Sequence, residues 1–523
     1  MRQNHAKLHR QDRLPYLAYT IMNYNASLMK QIEGKTAKMR NLALMSASMG
    51  VLFPSGPQFS DSLGAALYAA KLSWLIPIPI FMIQAASTQF ALNPDLLINV
   101  EELKDRREDI AKKRIIYTIT TRGENLTTLR NSFDSVRYWL RRVKEDHGLD
   151  FRSETWIVTE EDRFRAERLF FEEMELDGAT LIIVPERYST PNHSAFKTRA
   201  LHYASEVRIE RGIDAPDDWI YHQDTETMIG EDTVLGCLDF ATNTLDGHLI
   251  GAGIILYPQN WKYRFNSVEE TIRSVGDLSA MGQMKMWGAV PFGYHGSHLI
   301  VRADIENDIG WDFGKVRSED LLFSLKLRER FGGVSKSLKG FAYEKPPFTV
   351  GDHLKQRRRW ILGSMEVLAG KDVKVKYKLP LIYSLGSWLI GLPSIAATAL
   401  SLLYPTGGVI PIIGGILTGF MWWTIYSSYK VGLELHEVYV NRPEPNKRLK
   451  LVWGALLGML IDAVAPWYAL FRRTKKYEEI RKDDPAEELE DIIVDVEPYA
   501  EDGARANCAK NIVCYPPLKR WAS

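Results

Sequence analysis

Two textures of hydrophobic patterning divide the chain, and the first change falls near residue 113. Before it lie apolar runs with little periodicity. Residues 41–53 (NLALMSASMGVLF) are too short to cross a bilayer comfortably, and Pro54-Ser55-Gly56-Pro57 then breaks the chain. Residues 63–92 form a longer run, interrupted by Lys71 and carrying Pro77 and Pro79. That run exceeds the roughly 20 apolar residues a transmembrane helix needs. Together they predict a membrane hairpin, or one anchor preceded by a buried helix, within 41–95. Beyond 113 short apolar runs alternate with amphipathic ones. Ile115-Ile116-Tyr117-Thr118-Ile119-Thr120 reads as a buried strand, and Leu126, Leu129, Phe133 and Val136 share one face of the helix after it. Thr155-Trp156-Ile157-Val158-Thr159 and residues 180–184 (TLIIV) read as further strands, and a helix around 195–210 precedes Trp219-Ile220-Tyr221. Strands alternating with helices predict an α/β domain with a mostly parallel sheet, its functional groups gathered on loops at one edge.

The apolar texture returns after a basic collar of Lys371, Lys374, Lys376 and Lys378. Runs follow at 379–404, at 407–429 with Trp422 and Trp423 near its far end, and at 451–471 with Asp462 and Pro466 inside. The link carrying Arg442, Lys447, Arg448 and Lys450 reads as cytoplasmic, which makes 379–429 a hairpin. Arg472, Arg473, Lys475 and Lys476 after the third run oppose a simple exit, so that run is re-entrant or interfacial and the helix count stays open. Asp462 is a functional candidate if it lies within the membrane, or an ordinary residue of a wet segment. The organisation expected is a basic cytoplasmic N-terminus (1–40), a membrane hairpin or anchor (41–95), a catalytic domain (113–365), transmembrane or interfacial helices (379–471) and a charged cytoplasmic tail (472–523).

Composition changes this picture little. At 523 residues the chain exceeds one core, and 66 Lys+Arg against 65 Asp+Glu point to no nucleic-acid partner. Cys237, Cys508 and Cys514 make no disulfide framework and no zinc site, which favours a reducing, cytosol-facing compartment. The first forty residues are polar and basic, unlike a cleavable signal peptide.

The candidate chemistry sits where strands end. Asp224 and Glu226 follow the strand at 219–221, a place where open α/β sheets put ligands, and two close carboxylates are suited to a cation carrying a diphosphate. Glu124 and Glu160 occupy equivalent strand ends. Glu319 and Asp320 head a helix with Leu321, Leu322, Leu325 and Leu327, and on their own would only complement its dipole. Gln356-Arg357-Arg358-Arg359-Trp360 is either a membrane-interface anchor or a bidentate grip on a diphosphate. Glycosyl transfer with inversion asks for one carboxylate base and a neutraliser of the departing diphosphate, whereas a glycoside hydrolase asks for a second carboxyl acting as acid.

Taken in order, these motifs resemble the family 2 glycosyltransferases, and their membrane-bound branch that includes cellulose and hyaluronan synthases. Further stretches resemble the egghead-type β-1,4-mannosyltransferases: Tyr117-Thr118 with Thr121-Arg122-Gly123-Glu124, Val184-Pro185, Ala195-Phe196-Lys197-Thr198-Arg199-Ala200-Leu201, His222-Gln223-Asp224-Thr225-Glu226-Thr227, His295-Gly296-Ser297 and Tyr343-Glu344-Lys345-Pro346-Pro347-Phe348-Thr349. The resemblance covers roughly residues 113–365. It implies a GT-A fold, an inverting reaction, a nucleotide-sugar donor (GDP-mannose in that family), Mg²⁺ or Mn²⁺, and a lipid-linked or glycan acceptor. The catalytic domain of such an integral membrane protein would face the cytoplasm. By the same resemblance Asp320 is the base, and Asp224 and Glu226 hold the metal. Thr121, Glu124, Glu160, Lys197, Arg199 and Asp224 lie along the donor, while Glu319, Gln356, Arg359 and Trp360 lie at the acceptor and diphosphate end. Where such enzymes usually place an Asp after the second strand, this chain has Glu160-Glu161-Asp162, which bears on the nucleotide. The alternative function is a processive polysaccharide synthase using a UDP-sugar.

Overall fold

The computed structural model describes residues 76–91, 98–243, 247–257, 264–403, 423–435, 446–474 and 480. The expectations for residues 1–40, for most of 41–95, for most of the 407–429 run and so for the 379–429 hairpin, for the link at Arg442, for Cys508 and Cys514 and for most of the tail concern residues outside these.

Eight strands form one sheet: β1 (Arg114–Thr120), β2 (Arg152–Glu160), β3 (Ala179–Val184), β4 (Asp218–Asp224), β5 (Thr227–Ile229), β6 (Ile250–Leu256), β7 (Leu299–Arg302) and β8 (Ser335–Glu344). Their order is β3-β2-β1-β4-β7-β6-β8-β5. The β3-β2-β1-β4 half is wholly parallel, with Thr120 level with Val158 on one side and Asp224 on the other. That register brings three strand ends to one edge, where the β-branched and aromatic runs stop and polar residues begin. Past β4 the sheet changes character. β7 runs antiparallel to both β4 and β6, β8 returns parallel to β6, and β5 pairs antiparallel with β8.

Helices cover both faces. α1 (Ile78–Ala91) precedes the sheet, and α2 (Leu126–His147) follows β1. α2 buries Leu129, Phe133, Val136, Leu140 and Val143 at helical spacing and stops at Gly148, whose φ of 64° suits glycine. α3 (Lys197–Glu210), α4 (Glu231–Thr242), α5 (Arg264–Trp287), α6 (Ala303–Ile309) and α7 (Glu319–Phe331) complete the layers. Ile116, Ile220, Val301 and Leu256 face one side of the sheet with α3, α5 and α7. Tyr117, Trp219, Tyr221 and Ile300 face the other with α2 and α4. Burying each such side chain stabilises the fold by about 1.5–3 kcal/mol, so the sheet is a stiff platform for whatever stands on its edge.

α8 (Val350–Ala369) leads from the sheet into the apolar part of the chain. After it come α9 (Val375–Leu403), α10 (423–435) and α11 (Lys447–Phe471). Two described stretches, Val375–Ala396 and Lys447–Phe471, are long and apolar enough to cross a bilayer. α9 carries Pro380 and Pro393 within its length, and α11 contains a π-helical turn at Gly454–Gly458. The fold is thus an α/β domain of the GT-A kind, with four of its seven strand pairings parallel, joined to membrane-type helices.

α5 joins the two parts. Gly282 lets α1 approach it so closely that a Cβ there would sit 1.9 Å from the Ser87 carbonyl oxygen, and Ser87 and Ser279 share a 2.6 Å hydrogen bond across the contact.

Candidate active site

A cavity of about 640 Å³ opens over the C-terminal edge of β1, β2 and β4. Its polar centre is a set of carboxylates around one ammonium. Asp224 ends β4, and its Oδ1 lies 2.5 Å from Lys197 Nζ. Lys197 opens α3, and its Nζ also sits 3.9 Å from Glu319 Oε1 and 3.4 Å from the Gly296 carbonyl. Glu319 and Asp320 form the first turn of α7, where Asp320 Oδ1 accepts the Leu321 N–H at 2.8 Å. Gly296 completes the packing: a Cβ there would come within 3.4 Å of both Asp320 and Lys197. Phe196, just before Lys197, holds a φ of 59°. That left-handed backbone is costly for a phenylalanine, by about 1–3 kcal/mol, and such strain clusters at functional sites.

One ammonium among three carboxylates produces graded protonation. Burial favours the neutral form of Glu319, and the neighbouring Asp320 charge adds to it, so its carboxyl is pushed up to about 7 despite Lys197. Burial also raises the Asp320 carboxyl, against the opposing pull of the Leu321 N–H and Lys197. Burial acts the same way on Asp224, but Lys197, with Arg359 and His295, outweighs it and holds that carboxyl below its usual range. Lys197 is desolvated, yet the charges of Asp224, Glu319 and Asp320 raise its ammonium well above normal. Asp224 and Lys197 are therefore fixed in their charged forms, while Glu319 and Asp320 are held closer to neutrality.

The cavity gathers most of the residues picked from the sequence. Thr121, Glu160, Lys197, Asp224, Glu226, Glu319, Asp320, Gln356, Arg359 and Trp360 all line it. Two do not. Arg199 stands behind the wall, ion-paired with Glu160 and donating Nε–H to the Tyr188 carbonyl at 3.2 Å, so it orients Glu160 from outside. Glu124 turns toward Arg163 and Arg122, 3.3 and 3.9 Å away. The three consecutive arginines of this motif have different neighbours. Arg359 reaches the cavity. Arg357 instead turns to Asp462 of α11 at 3.0 Å and to Glu270 at 3.2 Å, and Arg358 donates to the Arg472 carbonyl at 3.1 Å.

Arg273, Asp277 and His295 line the cavity as well. Arg273 of α5 is stacked between Tyr257 and Trp360, its guanidinium 4.9 and 4.7 Å from the ring centroids. His295 sits 3.4 Å from Asp277 and its charge bears on both Asp224 and Asp320. His295 lay in a stretch already singled out for its family likeness; Arg273 and Asp277 sit in an amphipathic helix whose sequence marks them as ordinary surface charges.

Comparison with known proteins fits this geometry. Residues 219–433 match the glycosyl transferase family group 2. The chain is 33% identical over 232 residues to "Beta-1,4-mannosyltransferase egh" of Drosophila melanogaster, covering 43% of this chain and 49% of that protein. It is 32% identical over 215 residues to "Beta-1,4-mannosyltransferase bre-3" of Caenorhabditis briggsae, covering 40% and 45%. With the Caenorhabditis elegans protein of the same name the identity is 28% over 314 residues, 58% of this chain and 67% of that one. The matches to the first two span about half the length of each relative.

Proposed function

We propose that this chain, a family 2 glycosyltransferase, moves a sugar from a nucleotide sugar to a lipid-linked or glycan acceptor with inversion at the anomeric carbon. The favoured sugar is mannose and the favoured donor GDP-mannose, because the relatives matched are β-1,4-mannosyltransferases. The observation that carries the reading is the meeting of Asp224, Lys197, Glu319, Asp320, Arg359 and Trp360, drawn from four separate elements, in one cavity. A chance cluster of solvated strand-end acids would not converge in this way.

In this reading the acceptor hydroxyl gives its proton to Asp320. Burial makes that carboxylate more basic than a surface aspartate, which suits a group that must accept a proton. The Leu321 N–H fixes the orientation of its second oxygen. Lys197 and Arg359 bring positive charge to the side where the diphosphate leaves, which counters the charge that develops in the transition state. Trp360, with Arg273 behind it, provides an apolar, cation-backed wall for the sugar ring.

Mg²⁺ or Mn²⁺ suits the donor set, since Asp224 and Glu226 both line the cavity and the carboxylates outnumber the ammonium beside them. Asp224 and Glu226 would hold the ion, which would neutralise the departing diphosphate. Glu160, braced by Arg199, would read the nucleotide base. The basic flanks of the first apolar segments support a cytoplasmic orientation for this domain.

The test is nucleoside diphosphate release by the full chain in lipid, with Mn²⁺ or Mg²⁺, from GDP-mannose, UDP-glucose, UDP-N-acetylglucosamine and UDP-glucuronate, with lipid acceptors added. Release from GDP-mannose, falling about 10²–10⁴-fold in Asp320→Asn with donor binding retained, is expected. Release from a UDP-sugar alone would overturn the donor and favour a polymer synthase. Full activity in Asp320→Asn would remove that residue from its role.

A further inference from the structure

Away from the transfer cavity, where α5, α8, α10 and α11 meet, a second group of charges is enclosed. Glu269 and Glu270 of α5 are fully buried, as is His353 of α8. Asp462 approaches from α11, and Tyr429 of α10 donates its hydroxyl to Glu269 Oε2 at 2.6 Å. One ligand atom from each of Glu269, His353 and Asp462 lies within 4.8 Å of the others. Glu269 Oε1 makes no hydrogen bond although it is cut off from solvent, and neither nitrogen of His353 makes one of good geometry. Leaving such groups unsatisfied costs about 1–3 kcal/mol each.

The surroundings are shaped for an occupant. His353 Nδ1 sits 3.2 Å from Glu270 Oε1, and Nε2 points the other way, 3.5 Å from Asp462 Oδ1. An imidazole whose one nitrogen faces a carboxylate presents the other as a lone pair, the usual posture of a metal-ligating histidine. The helix opposite makes room. A Cβ at Gly458, the last residue of the π-helical turn, would lie 1.7 Å from Glu269 Oε2, so only glycine lets Glu269 reach this position.

The fixed charges leave one excess negative, which draws a cation, and a divalent ion would carry the sum to one positive. Three carboxylates (Glu269, Glu270 and Asp462) face two guanidiniums, Arg357 and Arg273. A proton on Glu269 would restore neutrality, with the Tyr429 hydroxyl 2.6 Å from Oε2, and it is the rival occupant of the site. A doubly protonated His353 would also balance the charge while leaving Glu269 Oε1 bare.

We infer that Glu269, His353 and Asp462 bind a divalent first-row transition cation, of the Zn²⁺ or Mn²⁺ class that two carboxylates and an imidazole favour. The ion ties α5, α8 and α11 together and is distinct from any ion held by Asp224 and Glu226. Its work is structural: α8 carries Gln356, Arg359 and Trp360, so a bond from its first turns to α11 fixes the cavity wall to the membrane helices.

The experiment uses the full-length Asp224→Asn/Glu226→Gln protein in detergent, which lacks the donor-side carboxylates and keeps this cluster intact. Metal analysis is expected to find about one equivalent of Zn²⁺ or Mn²⁺ per chain, with a chelator lowering the melting temperature. Adding His353→Gln or Glu269→Gln removes both the metal and the chelator response. Where those variants do not fold, Tyr429→Phe keeps the ring and is expected to weaken metal affinity by about 10-fold. Protein free of metal, with a melting temperature indifferent to chelator and to added Zn²⁺ or Mn²⁺, would overturn the site and leave a proton on Glu269 or His353 in its place. Metal retained unchanged through all three substitutions would overturn it as well.

Discussion

Glu306 is a fully buried glutamate and Glu319 a half-buried one at the cavity, and their neighbours give them opposite habits. Glu306 of α6 receives Arg208 at 2.8 Å and Trp311 Nε1–H at 2.7 Å on one oxygen, and His222 at 3.1 Å on the other. Burial works against its charge, but Arg208 and His222 overcome that and hold its carboxyl down at about 2. Glu319 shares a single lysine with two other carboxylates and is pushed up to about 7. The residue types are nearly the same. What differs is whether the charges close among themselves, and the group that does not close is the one facing the cavity. A buried charged residue is thus a poor marker of function, and an unbalanced one a better marker.

The comparison breaks most visibly at Glu306. Glu306→Gln leaves Arg208 without its counter-charge and is expected to cost about 3–5 kcal/mol, read by thermal unfolding. Because the native carboxyl is depressed, its stabilisation is present above the unfolded value of 4.5 and lost as pH falls through about 2. The gap in melting temperature between wild type and variant should therefore narrow in acid. A gap that widens there would show that the pairing is not what holds this corner. Next in size is Lys197→Met, which takes away the only ammonium of the open cluster. Turnover at neutral pH is expected to fall about 10²-fold and to recover in part as pH rises and the carboxylates ionise again. A uniform loss at every pH would mean that Lys197 acts by contact alone. The smallest effect belongs to Glu319→Gln. The native carboxyl is raised, so its contribution to stability is full below 4.5 and lost as pH rises through about 7. The variant should gain on wild type in melting temperature across that window, without change at lower pH.

The parallel half of the sheet was legible in the sequence because each strand there is a continuous apolar run closed by a polar residue. The observed β1 to β4 extend those runs by only a few residues. Asp224, Glu319 and Asp320 were legible for the same reason, since strand and helix ends are marked by abrupt changes in polarity. The second half of the sheet was not. β7 is four residues long and β5 three, too short to set a period, and their pairing with distant partners is decided by packing. Glu124 looked equivalent to Glu160, yet it lies past Gly123, whose φ of 70° turns the chain toward Arg163. No spacing rule reveals that turn. Nor could the sequence say which of Arg357, Arg358 and Arg359 turned to α11, to the segment after it and to the cavity, since the answer depends on the rotation of α8 against three different neighbours.

That rotation carries a consequence for how the gene can change length. Arg357, Arg358 and Arg359 are consecutive on one helix, yet they address α11, the segment after it and the cavity in turn. Inserting or deleting a single residue upstream within α8 would turn everything beyond it by about 100°. The guanidinium that reaches the cavity and the one paired with Asp462 would both leave their present neighbours. A substitution along α8 alters one address, whereas a one-codon insertion or deletion there would disturb three at once. A change of length that spares these contacts is therefore expected only in the connections on either side of that helix.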